Sequence, residues 1–128
     1  MFKNKKILYL CFIAGALGVG VVSFHNNADA DQLGQCAVQS GSTRFIDFET
    51  NHCGYVFGNN TNWGALSGGW NDRADEFGND GVTSSNCLYQ DINCGGQSVF
   101  LPRGFVVTWQ NVVSSNRWTT GTKCPTSC

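Results

Sequence analysis

The chain has 128 residues, a formal net charge of −1, and 13% charged against 41% apolar residues. That is enough for one small domain, and its scattered basic residues offer no stripe to neutralise phosphates, so nucleic-acid binding is excluded. Seven cysteines in so short a chain raise the question of covalent cross-links.

The N-terminus explains one of them. Lys3, Lys5 and Lys6 precede an apolar run over residues 7–22, followed by Ala28-Asp29-Ala30. Basic residues, a short apolar core and an A-x-A site form a secretory leader, cleaved after Ala30. The core is short and interrupted by glycines, which argues against a membrane anchor. The expected product is a secreted domain over residues 31–128. Cleavage removes Cys11, His25 and the three lysines. Arg44, Arg73, Arg103, Arg117 and Lys123 then face eight carboxylates, so the mature chain is mildly acidic.

Along the mature chain, Arg44-Phe45-Ile46-Asp47-Phe48 alternates like a half-buried strand, as does Gln97-Ser98-Val99-Phe100. Phe105-Val106-Val107-Thr108-Trp109 reads as a further strand. Residues 58–62, Gly68-Gly69 and residues 78–81 carry turn chemistry. No window has sustained helical periodicity. Phe48, Phe57, Trp70, Phe77, Tyr89, Phe100, Trp109 and Trp118 are the expected core, and Trp63, in a polar loop, is expected to be exposed.

The organising stretch is 86–102. It contains Cys87-Leu88-Tyr89, then Cys94 with Gly95-Gly96, then Val99-Phe100-Leu101. About forty residues upstream the same order recurs as Phe48, Cys53-Gly54 and Val56-Phe57. The spacing from Phe48 to Cys53 equals that from Tyr89 to Cys94. Trp70-Asn71-Asp72-Arg73-Ala74-Asp75 then parallels Trp109-Gln110-Asn111-Val112-Val113-Ser114. The chain therefore reads as two copies of one β unit meeting within residues 78–85.

These residues resemble the Greek-key motifs of βγ-crystallins, in which an aromatic-led folded hairpin is followed by an Asn/Asp-x-x-Ser-Ser loop. Tyr89 to Gly96 fits, with Cys94 in place of the second aromatic. Phe48 to Tyr55 fits less closely, with Tyr55 where glycine is expected. Across residues 36–124 the chain is most similar to secreted bacterial peptidase inhibitors of family I36, which share that fold. The resemblance implies an all-β, βγ-crystallin-like double Greek-key sandwich, stapled by disulfides. It also implies a monomeric inhibitor whose partner is a secreted metallopeptidase. Metallopeptidases of the thermolysin type favour a bulky apolar residue after the scissile bond, so Cys87, Leu88 and Tyr89 are the candidate inhibitory loop. A calcium-binding or structural crystallin-type module, and a secreted antimicrobial or toxin-like protein, stand as alternatives.

Six cysteines remain after cleavage: Cys36, Cys53, Cys87, Cys94, Cys124 and Cys128. An even number in a short secreted chain suits a disulfide framework, and zinc is disfavoured because paired C-x-x-C spacings are missing. Pairing of neighbours is expected: Cys36–Cys53, Cys87–Cys94 and Cys124–Cys128, with a crossed link between the last pair and Cys36 also open. No cofactor is expected apart from calcium. In microbial βγ-crystallins the Asn/Asp-x-x-Ser-Ser loops hold that ion, and oxygen donors suit it. The corresponding residues are Asn71, Asp72 and Asp75 in one loop, Asn111 and Ser114 in the other. Catalysis is not indicated. His52 is the sole mature histidine, its neighbour Cys53 is expected to be bridged, and Asp72, Asp75, Glu76 and Asp91 are scattered acids.

Overall fold

A computed structural model describes residues 23–26, by their backbone, and residues 32–128. The apolar leader core and the Ala28–Ala30 cleavage site lie outside these residues. Eight strands are described: β1 (Ser23–Asn26), β2 (Thr43–Asp47), β3 (His52–Val56), β4 (Glu76–Asn79), β5 (Ser85–Asp91), β6 (Gly95–Leu101), β7 (Phe105–Thr108) and β8 (Ser115–Thr119). Short 3-10 turns at Leu33–Gln35, Trp63–Ala65 and Ile92–Cys94 are the remaining regular elements among the described residues.

The strands form two antiparallel sheets, β1-β7-β4-β2-β3 and β6-β5-β8. The second is extended by a bridge in which Asn60 and Asn116 exchange backbone hydrogen bonds of 3.1 and 2.8 Å. The two halves interlock through this order. The first motif runs β2, β3, the segment at Asn60, then β4. The second runs β5, β6, β7, β8. Each lends its third member to the other's sheet: Asn60 pairs with β8, and β7 pairs with β4. Neither sheet is complete without the other motif. The junction falls in residues 80–84, as expected, and it is tight. A Cβ on Gly81 would stand 2.6 Å from the Trp118 ring.

Alternation along the strands fills the space between the sheets. Phe45 on β2, Phe77 on β4, Val107 on β7 and Leu88 on β5 face inward with Trp63, Trp70 and Trp109. Phe45 stacks on Trp63 at 4.6 Å and meets Trp70 edge-on at 4.7 Å. β3 passes so close to this ring that a Cβ on Gly54 would lie 2.1 Å from Phe45 Cε2. Only glycine fits opposite Phe45 in that register.

Each sheet also buries part of its outer face, with a different part of the chain. Over the first sheet, Leu33 and Cys36 cover Ile46 and Val106, with Phe48 beside them. Arg44, only 3% exposed, fixes this cover by donating to Leu33 O and Cys36 O while pairing with Asp80 at 3.0 Å. Over the second sheet, the C-terminal tail brings Cys124 against Cys87, Tyr89, Cys94 and Phe100, and Tyr89 donates its hydroxyl proton to Pro125 O.

The disulfides follow from these covers. Cys36–Cys53 forms as expected. The other two correct the sequence reading: Cys87 joins Cys124 and Cys94 joins Cys128, so both staple the tail to the second sheet. Two aromatic expectations are also reversed. Trp63 is fully buried, and Phe57, expected in the core, is 61% exposed. Phe48, Phe100 and Trp118 are half-buried, while Trp70, Phe77, Tyr89 and Trp109 are buried.

Candidate functional site

Three places were marked in advance by the sequence: the Cys87-Leu88-Tyr89 segment, the two oxygen-rich loops, and His52 beside Cys53. The first is not a loop. Residues Cys87, Leu88 and Tyr89 lie inside β5, hydrogen-bonded between β6 and β8, and their exposures are 0%, 0% and 2%. Leu88 faces the sandwich core, and Cys87 and Tyr89 face the stapled tail. A peptidase cleft cannot reach them without opening the fold.

The oxygen-rich loops do come together, and they do so crosswise. Asp72 and Asn111 occupy matching loop positions, and both adopt left-handed backbone, with φ of 49° and 55°. Asp72 N donates to Val113 O, and Asn111 N donates to Ala74 O, so each loop caps the other. Ser114 Oγ donates to Asp72 Oδ1 at 2.9 Å, and Asn71 Nδ2 donates to Asp72 Oδ2 at 3.1 Å. Asp75 is placed differently. Its carboxylate is buried and accepts from Phe48 N at 2.7 Å, which secures the end of β2. The donor set around Asp72 and Ser114 thus holds one carboxylate and one hydroxyl. No group of three or more His, Cys, Asp or Glu stands together among the described residues. Such a set suits a hard cation only weakly, since calcium takes about 6–8 oxygens.

The buried carboxyls leave a signature in pH. Burial pushes Asp75 above the ordinary carboxylate range against the opposing hydrogen bond from Phe48 N, and the charges of Asp47 and Glu49 push it the same way. Burial raises Asp80 as well, although the Arg44 charge opposes it. A carboxyl whose pKa is higher in the folded state binds its proton more tightly there. Its stabilising contribution is complete below the unfolded pKa and lost as pH rises through the folded one. Lowering the pH from neutral toward the carboxylate range is therefore expected to raise the melting temperature, and Asp75→Asn should flatten that rise. At still lower pH the slope reverses through Asp47. Burial alone would raise that group, but hydrogen bonds from Arg73, Thr50 and the Glu49 amide hold it below its ordinary value. Melting curves across this range, parent against variant, check both signs.

His52 is exposed at the start of β3, and Cys53 is bridged to Cys36. An open cleft of about 580 Å³ runs beside them, walled by Tyr55, Leu66, Trp70 and Arg73. The Arg73 guanidinium lies over the Trp70 ring at 4.9 Å, pairs with Asp47 at 2.7 Å, and donates to Gly68 O and Thr50 Oγ1. Its donors are thereby directed to the protein itself.

β3 leads at its far end to a feature the sequence reading missed. Val38 and Phe57, 67% and 61% exposed, are the two most exposed large hydrophobic residues described; in sequence they follow Cys36 by two residues and Cys53 by four. Tyr55 Oη donates to Ala37 O at 2.9 Å, tying the Val38 segment to β3 just before Phe57. The signal in the sequence was an apolar residue placed soon after each member of one cysteine pair.

No family model matches this sequence, and no curated protein matches it. Among solved structures, the chain is similar to one described as "Evolution of the eye lens beta-gamma-crystallin domain fold", with a TM-score of 0.55 and 17% identity. The match covers 78% of this chain and 98% of that one. At that identity the likeness speaks for the fold alone. The interlocked motifs, the crossed loops and this match together make the chain a βγ-crystallin-like double Greek-key domain, stapled by three disulfides that suggest an oxidising environment.

Proposed function

We propose that the chain is a secreted module that acts by binding protein, as an inhibitor of extracellular metallopeptidases, with its contact strip at Val38 and Phe57. The observation that carries this reading is the pair of exposed apolar side chains braced by one disulfide and one tyrosine hydrogen bond. A strip held in place before docking loses little further entropy on binding, which is the physical requirement of a tight inhibitor. The metallopeptidase class comes from the sequence resemblance to family I36. The contact strip moves there because Leu88 is enclosed.

A panel of secreted metallo-, serine and cysteine peptidases, assayed with the oxidised protein, tests this directly. Phe57→Asp should weaken inhibition of the responsive peptidase by about thirtyfold, the loss expected on truncating a central apolar contact. The fold should be unchanged, because Phe57 packs against little. A natively folded Phe57→Asp variant that inhibits like the parent would remove this strip from the account.

A second reading gives the crossed loops a structural role for weakly held calcium, resting on the approach of Ser114 to Asp72. If Asp72 and Ser114 hold it, saturating calcium should raise the melting temperature by a few degrees relative to chelator, by mass action on the native state. Asp72→Ala should abolish that difference. Identical melts with and without calcium would leave the loops as mutual caps.

A further inference from the structure

We propose that the outer edge of β7 is a strand-acceptor site, which pairs with β7 of a second copy once the leader is removed. β1 occupies that edge in the uncut chain. It runs antiparallel to β7 over four residue pairs, from Ser23↔Thr108 to Asn26↔Phe105. Yet all of β1 lies within the residues that cleavage after Ala30 would remove. The opposite side of β7 is taken by β4, through Glu76↔Thr108, Phe77↔Val107 and Gly78↔Val106. Loss of β1 therefore leaves β7 at the sheet's edge with a row of unsatisfied backbone N–H and C=O groups. The inference rests on that cleavage position and is independent of the inhibitor reading.

β7 is short, at four residues, but it lacks the other devices that normally blunt an edge. Phe105-Val106-Val107-Thr108 contains no proline, glycine or charge, and its pairing with β4 has no register shift. The other edges are different. β3 is tied at Cys53 to the covering segment, β6 begins with two glycines and carries a register shift against β5, and β8 carries Arg117 and is bridged by Asn60.

The occupant follows from geometry and charge. Identical strands related by a twofold axis must pair antiparallel, which is the sense in which this edge already takes β1. With no charged side chain in β7, two copies meet there without like-charge repulsion. Arg103, two residues before β7, donates to Val82 O. Pairing two copies would join their sheets into one continuous sheet and cover the part-exposed Phe105 rings.

The test uses the secreted protein recovered from culture medium. N-terminal sequencing should begin at Asp31, and light scattering should give twice the monomer mass. Phe105→Lys places a charge on each side of the joint and should halve the mass while leaving circular dichroism and melting unchanged. Thr108→Lys should do the same from the other end of β7, whereas His52→Lys on the β3 edge should stay dimeric. A monomeric parent at its highest soluble concentration overturns the proposal. So does an N-terminus at or before Ser23, or a dimer that survives both β7 variants.

Discussion

Trp63→Ala is expected to leave the protein largely unfolded at physiological temperature. Removing a fully buried tryptophan typically costs about 3–5 kcal/mol. Here the ring also stacks on Phe45, and its Nε1 donates to Asn116 Oδ1 at 2.8 Å. Asn116 is itself buried, giving its amide to Gly58 O and Asn86 Oδ1. Losing the indole strands that acceptor at a further cost of about 1–3 kcal/mol. The sum approaches the whole stability of a small domain, on the order of 5–15 kcal/mol. The lost ring sits where the motifs cross, next to the bond from the Trp63 backbone N–H to Ser114 O at 2.8 Å. Urea unfolding of the variant beside Trp118→Ala, a half-buried ring at the rim, measures the contrast. A cost under about 1 kcal/mol for Trp63→Ala would mean that this crossing does not hold the halves together.

Reduction should be comparably severe. Cys87–Cys124 and Cys94–Cys128 close loops with sequence separations of 37 and 34, and Cys36–Cys53 one of 17. By the chain-entropy relation each restrains the unfolded state by about 3–4 kcal/mol. The tail links overlap, so their effects do not simply add. They also hold down the segment that covers Tyr89 and Phe100. The double variant Cys87→Ala/Cys124→Ala is expected to lower the denaturant midpoint sharply and expose the Tyr89 hydroxyl to solvent. Peptide mapping of the unreduced parent should recover Cys87 with Cys124 and Cys94 with Cys128. Recovery of Cys87 with Cys94 would contradict the tail's place over the second sheet.

What the sequence made legible was mostly local. Hairpins announced by alternation and glycine, the two-copy order of landmarks, the junction near Gly81 and the matching loop positions Asp72 and Asn111 all depend on neighbours a few residues apart. What it concealed depends on distant ones. Trp63 sits among Asn60, Asn62 and Gly64, which reads as a surface loop. In the fold, Asn62 caps a 3-10 turn by accepting from Gly64 N, and that turn inserts the indole under Asn116, 53 residues away. Leu88 was misread for a related reason. A strand buried on one face alternates, whereas Cys87-Leu88-Tyr89 is apolar without a break because β5 is covered on both faces. That unbroken run was the available sign that the segment is interior. Cys36–Cys53 was read correctly, but the other two disulfides were misassigned because neighbour pairing ignores a tail that crosses back over the sheet. Phe57 shows the converse: its β2–β3 hairpin was visible, but nothing local says that no layer covers the end of β3.

The inhibitor reading is most directly tested by titrating a secreted, thermolysin-like metallopeptidase with the oxidised protein. Residual activity should fall linearly and reach zero near one equivalent, and the reduced, alkylated protein should have no effect. Full peptidase activity in the presence of a large excess of natively folded, oxidised protein would contradict the inhibitor reading outright.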